Sequence, residues 1–85
     1  MTKPTIHLNG TAAADLLKQY RSAYAAVSDA IEATCKASPH GRDYYPQGTD
    51  AINNAQSEHW ERVAKLREVE KELMELALHV YQEVK

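Results

Sequence analysis

The chain has 85 residues, a formal net charge of −2 and a single cysteine, Cys35. This length allows one domain, and a domain so short buries only about 60 % of the surface that its unfolded chain exposes. The slightly acidic balance excludes a general nucleic-acid-binding protein, which needs a clustered positive field. An intrachain disulfide and a zinc-type Cys/His spacing are both absent, so we expect self-association to supply stability.

Residues 1–11 form a lead-in that we expect to be irregular, because Pro4, Asn9 and Gly10 disfavour a helix. This segment lacks the apolar run of a signal peptide, and no stretch of the sequence reaches the roughly 18 apolar residues of a membrane span. Together with the lone thiol, these features predict a cytoplasmic protein with no membrane partner.

A first helix is predicted over residues 12–38. Thr11 offers a hydroxyl N-cap, and Asp15 lies in the first turn, where the helix dipole favours negative charge. Ser38 precedes Pro39 and is disfavoured in a helix, which ends the element there. The large apolar residues recur at three- and four-residue spacing and so share one face: Leu16, Leu17, Tyr20, Tyr24, Val27 and Ile31.

Residues 39–49 read PHGRDYYPQGT and form the joint between the two helices. A guanidinium can clamp a phosphate or a carboxylate, and tyrosine rings can stack on a base. The glycines allow backbone N–H groups to approach a ligand. The predicted ligand-binding residues are Arg42, Tyr44, Tyr45, His40 and Lys36. In the alternative interpretation, the same residues only shape and cap the turn.

A second helix is predicted over residues 50–84, with a heptad repeat typical of a coiled-coil seam: Ile52, His59, Leu66, Leu73 and Val80. At 1.5 Å per residue the two helices would span roughly 39 and 52 Å. If they pair antiparallel from the joint, Ala12 lies near Glu75, and the turns after Glu75 overhang the first helix.

A second apolar stripe in that overhang consists of Met74, Leu78 and Tyr81. One hairpin cannot cover both stripes, so either Ile6 and Leu8 fold back over the end or another subunit packs there. We favour the subunit, with Met74, Leu78 and Tyr81 as the oligomer interface. The predicted fold is an all-α helical hairpin of two long antiparallel helices that assembles into a four-helix bundle or a larger oligomer.

The remaining chemistry gives no sign of catalysis. His59 falls on the seam, where a partly buried histidine with a hydrogen-bond partner is the simplest interpretation. Glu75, His79 and Glu83 share a helix face, but without a second histidine at helical spacing we predict no metal. An acidic run is expected to be a solvated face: Glu68, Glu70, Glu72 and Glu75. We predict neither an enzyme nor a cofactor.

Three segments carry a resemblance: IHLNGT before a helix reading LLKQY, then HGRDYYPQG at the joint, then EHWERVAKL. They resemble small accessory proteins encoded by bacteriophages and prophages, from Ile6 to about Leu73. The resemblance implies a genomic setting and carries no catalytic residues. In that setting, small helical proteins disarm host defences either by sequestering nucleotide immune signals or by blocking a host complex in the manner of anti-CRISPR proteins.

The functional prediction is a non-enzymatic protein of the host bacterial cytoplasm that counters host immunity by binding. The first hypothesis is a sponge for a cyclic or ADP-ribose-type nucleotide, held at the joint or at a subunit interface. The alternatives are an inhibitor that contacts a host defence protein through the acidic or the apolar helix face, and a structural or regulatory phage protein.

Overall fold

A computed structural model describes residues 1–83 of the chain, and within that range all regular structure is helical. Helix α1 runs over Ala13–Lys36 and helix α2 over Thr49–Glu83. Two short 3-10 turns, Gly41–Asp43 and Tyr45–Gln47, lie between them. The molecule is a rod of 61 × 20 × 19 Å. The all-helical hairpin is confirmed, whereas the predicted helix end at residue 84 lies outside the described residues.

The register of the hairpin is set by a hydrogen bond from Ser28 Oγ to Glu70 Oε2, 2.6 Å long. In an antiparallel pair, equal steps in opposite directions from such a contact stay opposite each other. Eight residues towards the joint, the last residue of α1, Lys36, therefore lies level with Arg62. At the open end of the hairpin, the first turns of α1 lie level with the last turns of α2.

This register overturns the predicted overhang after Glu75, which assumed a tight turn at the joint. The part of α2 that extends past α1 is its beginning, Thr49 to about Glu61. The joint of residues 37–48 is too long for a tight turn, and its second 3-10 turn, Tyr45–Gln47, leads directly into α2. The apolar stripe of Met74, Leu78 and Tyr81 therefore lies beside α1 and does not overhang it.

The seam between the helices holds the core. Its buried apolar residues are Ile31 on α1 with Val63, Ala77 and Val80 on α2. His59 is buried with them at 2 % exposure, as its heptad position indicates. Contrary to expectation, its Nε2 atom has no hydrogen-bond partner in the described part of the chain.

The lead-in returns along the end of α2. The Nε2–H of His79 donates a hydrogen bond of 2.8 Å to the Pro4 carbonyl oxygen, which fixes the tautomer of that imidazole because a carbonyl can only accept. Ile6 is half-buried, whereas Leu8 is fully exposed. The lead-in therefore covers one side of this end and leaves the apolar stripe partly open.

Candidate functional site

The joint presents its predicted ligand-binding residues on two consecutive 3-10 turns. The backbone N–H of Arg42 donates to Nδ1 of His40 over 3.1 Å, which caps the first turn. The Arg42 side chain is exposed, and so is Tyr45, at 77 %. Tyr44 is half-buried. One guanidinium and one aromatic ring are thus free to meet a ligand at the joint.

Lys36 is turned away from this group. Its Nζ lies 3.7 Å from Oε1 of Glu32, one turn earlier on α1, in an exposed ion pair. A Cβ added at Gly41 or at Gly48 would meet no atom within 4 Å, so neither glycine is needed there for close packing. The structure brings His40 and Arg42 into contact and does not show the five predicted residues converging on one cavity.

A groove with a volume of about 440 Å³ lies at the open end of the hairpin. Helix α1 lines it on one side and helix α2 on the other. The lining residues are Leu17, Arg21, Tyr24, Met74, Ala77, Leu78 and Tyr81. Ligand sites commonly have this size and an apolar lining with few polar groups. Arg21 supplies the one charged side chain of the lining.

The three residues predicted as an oligomer interface lie together in this groove. Met74 is 39 % exposed, Leu78 49 % and Tyr81 47 %. Large apolar side chains left half open along two turns of one helix form a patch of the kind that marks interaction surfaces. The groove therefore has the character of a binding surface for an apolar partner.

The α1 wall of the groove was missed from the sequence. The sequence pattern places Leu17 and Tyr24 on the core face of the first helix, in a different register. A signal was present, because Leu17, Arg21 and Tyr24 have the same i, i+4, i+7 spacing as the stripe on α2. Two stripes of equal spacing on antiparallel helices can line one groove once the register is known.

The lead-in bounds the far side of the stripe. Leu78 lines the groove and also a shallow depression beside it, which it shares with Lys3, Glu75, His79 and Gln82. The His79–Pro4 hydrogen bond holds this segment to α2. The stripe therefore runs between α1 and the tethered lead-in, so a ligand there is confined on two sides.

Within residues 1–83 no cluster of three or more His, Cys, Asp or Glu side chains is suited to a metal ion. The ring of His59 instead meets the exposed indole of Trp60 edge-to-face, with centroids 5.0 Å apart. Of the predicted acidic face, Glu70 is half-buried at the seam and the other members are exposed.

Comparisons with protein-family models, with curated proteins and with solved structures found no match to this chain. Neither helix, over the residues described, is long and apolar enough to cross a membrane. The functional argument therefore depends on the two surfaces described above, the groove and the joint.

Proposed function

We propose that this protein is a non-enzymatic binding protein whose working surface is the groove at the open end of the hairpin. The observation that supports it is the apolar stripe of Met74, Leu78 and Tyr81, which remains 39–49 % exposed beside α1. The sequence resembles small accessory proteins of bacteriophages. In that setting, such a protein acts in the host cytoplasm by occupying a surface of a host defence protein.

The energetic scale supports a role for this surface. Full burial of a side chain of this size contributes about 1.5–3 kcal/mol. Covering the exposed half of three such side chains therefore contributes about 3 kcal/mol, a large share of the roughly 5–15 kcal/mol that stabilises a small domain. Two classes of occupant fit the proposal: a second copy, which gives the predicted four-helix arrangement, or a segment of a host protein.

Site-specific photo-crosslinking tests this function. A benzophenone amino acid replaces Leu78 in the chain, which is produced in bacterial cells and irradiated. We expect a covalent adduct with another polypeptide, identified by mass spectrometry, and a much weaker adduct from the same substitution at Lys65, on the far side of α2. Equal labelling from both positions, or none from Leu78, would rule out the groove as the working surface.

A second candidate function, sequestration of a cyclic or ADP-ribose-type nucleotide, is favoured by a different observation. Arg42 and Tyr45 are exposed on adjacent turns of the joint, with Tyr44 and His40 beside them. A guanidinium on phosphate and a tyrosine on a base are the contacts that such a ligand needs. In this proposal Lys36 must first leave Glu32.

A thermal-shift screen against these nucleotides tests the second function. A ligand at a hundred times its dissociation constant adds about 2.7 kcal/mol to the free energy of unfolding. For a domain of this size, the melting temperature rises by roughly 10 °C or more. The rise should vanish in Arg42→Ala and Tyr45→Ala while Lys65→Ala keeps it. A flat screen would eliminate those nucleotides as ligands.

A further inference from the structure

Basic side chains predominate around the groove, although Glu75 borders Leu78. Arg21 lines the groove directly. Lys71 and Arg67 precede Met74 by three and seven residues, so they continue the line of the stripe along the same face of α2. Both are exposed. The chain as a whole carries a net charge of −2, so this concentration of positive charge does not follow from composition.

No acidic side chain neutralises these residues in the described structure. The ion pair found among residues 1–83 joins Lys36 to Glu32, which leaves Arg21, Arg67 and Lys71 without one there. Glu75 borders the stripe in the depression that it shares with Leu78, but it makes no ion pair with Lys71 within the described residues. Two other acidic residues of α2 point elsewhere. Glu70 turns into the seam, where its carboxylate accepts a hydrogen bond from the hydroxyl of Ser28. Glu72 comes two residues before Met74 and therefore lies on nearly the opposite side of the helix.

We propose that the groove binds an acidic amphipathic α-helix of a partner protein. The inference rests on the proposed function and names the chemistry of its partner. Such a helix lays apolar side chains at i, i+3, i+4 and i+7 over the stripe, in the helix-in-groove mode. Glutamates beside its apolar face meet the guanidinium of Arg21 at the α1 wall and the charges of Arg67 and Lys71 farther along.

Charge also decides between this occupant and a second copy. A symmetric dimer centred on the groove would bring the Arg21 side chains of the two chains towards one another, because Arg21 lies level with Ala77 in the middle of the stripe. Like charges brought together at an interface are unfavourable and suppress the wrong partner. An acidic helix removes that repulsion and gains opposite-charge contacts at the rim of an apolar contact.

Fluorescein-labelled peptides of designed sequence test the proposal by anisotropy. The probe is an 18-residue amphipathic helix with leucines on one face and glutamates on both flanks; its matched control has lysine at every glutamate position. We expect the glutamate peptide to bind at least tenfold more tightly at low ionic strength. Because exposed charges are screened by salt, the difference should shrink as salt is added.

Charge reversal in the protein sharpens the test. Arg67→Glu with Lys71→Glu should weaken binding of the glutamate peptide at least tenfold and strengthen binding of the lysine peptide. Lys65→Glu, an exposed reversal on the far side of α2, should leave both affinities unchanged. The control measurement is circular dichroism of each variant. It distinguishes a loss of binding from a loss of helical structure.

Three outcomes would overturn the proposal. One is that the protein binds the glutamate and the lysine peptide with equal affinity and that the charge reversals at Arg67 and Lys71 leave both affinities unchanged. Another is a dimer by sedimentation equilibrium that Leu78→Glu dissociates and the glutamate peptide does not. A third is binding to phosphatidylglycerol vesicles with no peptide binding. If Leu78 still crosslinks to a protein in cells, only the acidic partner class is lost; if it does not, the proposed function is lost as well.

Discussion

The hydroxyl of Ser28 and the carboxylate of Glu70 meet across the helix pair at 2.6 Å. Glu70 lies one heptad from both Val63 and Ala77, which are buried in the seam. A polar residue therefore occupies a position that the seam otherwise gives to apolar side chains. A single polar contact of this kind can specify the register of two helices, at a cost in stability.

Loss of that hydrogen bond should be measurable. Ser28→Ala removes the donor and leaves a half-buried carboxylate, so we expect the free energy of unfolding in urea to fall by about 1–2 kcal/mol. Ser28→Ala combined with Glu70→Leu should regain the loss, because no unsatisfied group remains. The matched control is Ser22→Ala, an exposed serine of α1. A double variant less stable than Ser28→Ala would contradict this account.

Helix type, helix number and the apolar stripe were predictable because they depend on local spacing. The heptad from Ile52 to Val80 identifies the seam, and His59 at its second position is indeed buried. Met74, Leu78 and Tyr81 stand out by the same spacing rule. These features require only that side chains three and four residues apart share a face.

The register of the two helices was not predictable, because it depends on the distance that the joint spans between the end of α1 and the start of α2. Residues 37–48 span the distance from the level of Arg62 back to Thr49, and no local spacing reveals that. With the register unknown, the spacing places Glu70 on a solvated face and does not connect the first helix with the stripe. The groove, which needs residues from both helices at one level, followed only from the folded arrangement.

Replacement of the buried histidine should stabilise the protein. The Nε2 atom of His59 is buried without a partner within residues 1–83, and such a group costs about 1–3 kcal/mol. His59→Leu removes it at similar volume, with a repacking cost below about 1.5 kcal/mol. We expect a higher melting temperature by calorimetry, with Gln56→Leu, an exposed change on α2, as control. A melting temperature below that of the parent protein would mean that the imidazole of His59 makes packing contacts that leucine cannot replace.

The two glycines of the joint should respond in opposite ways to alanine. Gly48 has φ 106° and ψ 170°, a conformation that essentially only glycine adopts. Gly48→Ala should therefore lower the free energy of unfolding by about 1–3 kcal/mol, even though its surroundings are open. Gly41 has no positive φ and no atom within 4 Å of an added Cβ, so Gly41→Ala should be neutral or stabilise by up to about 1 kcal/mol. Equal losses in chemical denaturation would show that the backbone of Gly48 is not the cause.

The start of α1 offers a stabilising substitution. The sequence indicated Thr11 as the N-cap, but the N-cap is Ala12, with φ −59° and ψ 141° and no side-chain hydrogen bond to the helix. Serine at this position can accept a hydrogen bond from the backbone N–H groups of the first turn, which is worth about 1 kcal/mol. Ala12 is exposed, so the added hydroxyl meets no packing constraint.

We therefore expect Ala12→Ser to raise the melting temperature by about 4–8 °C. Ala25→Ser is the matched control, because it adds the same hydroxyl at an exposed position in the middle of the helix, where serine is slightly unfavourable. A gain in the first variant with a small loss in the second identifies the cap as the cause. If both variants melt at the temperature of the parent protein, the first turn of α1 contributes too little to the cooperative unit for its capping to matter.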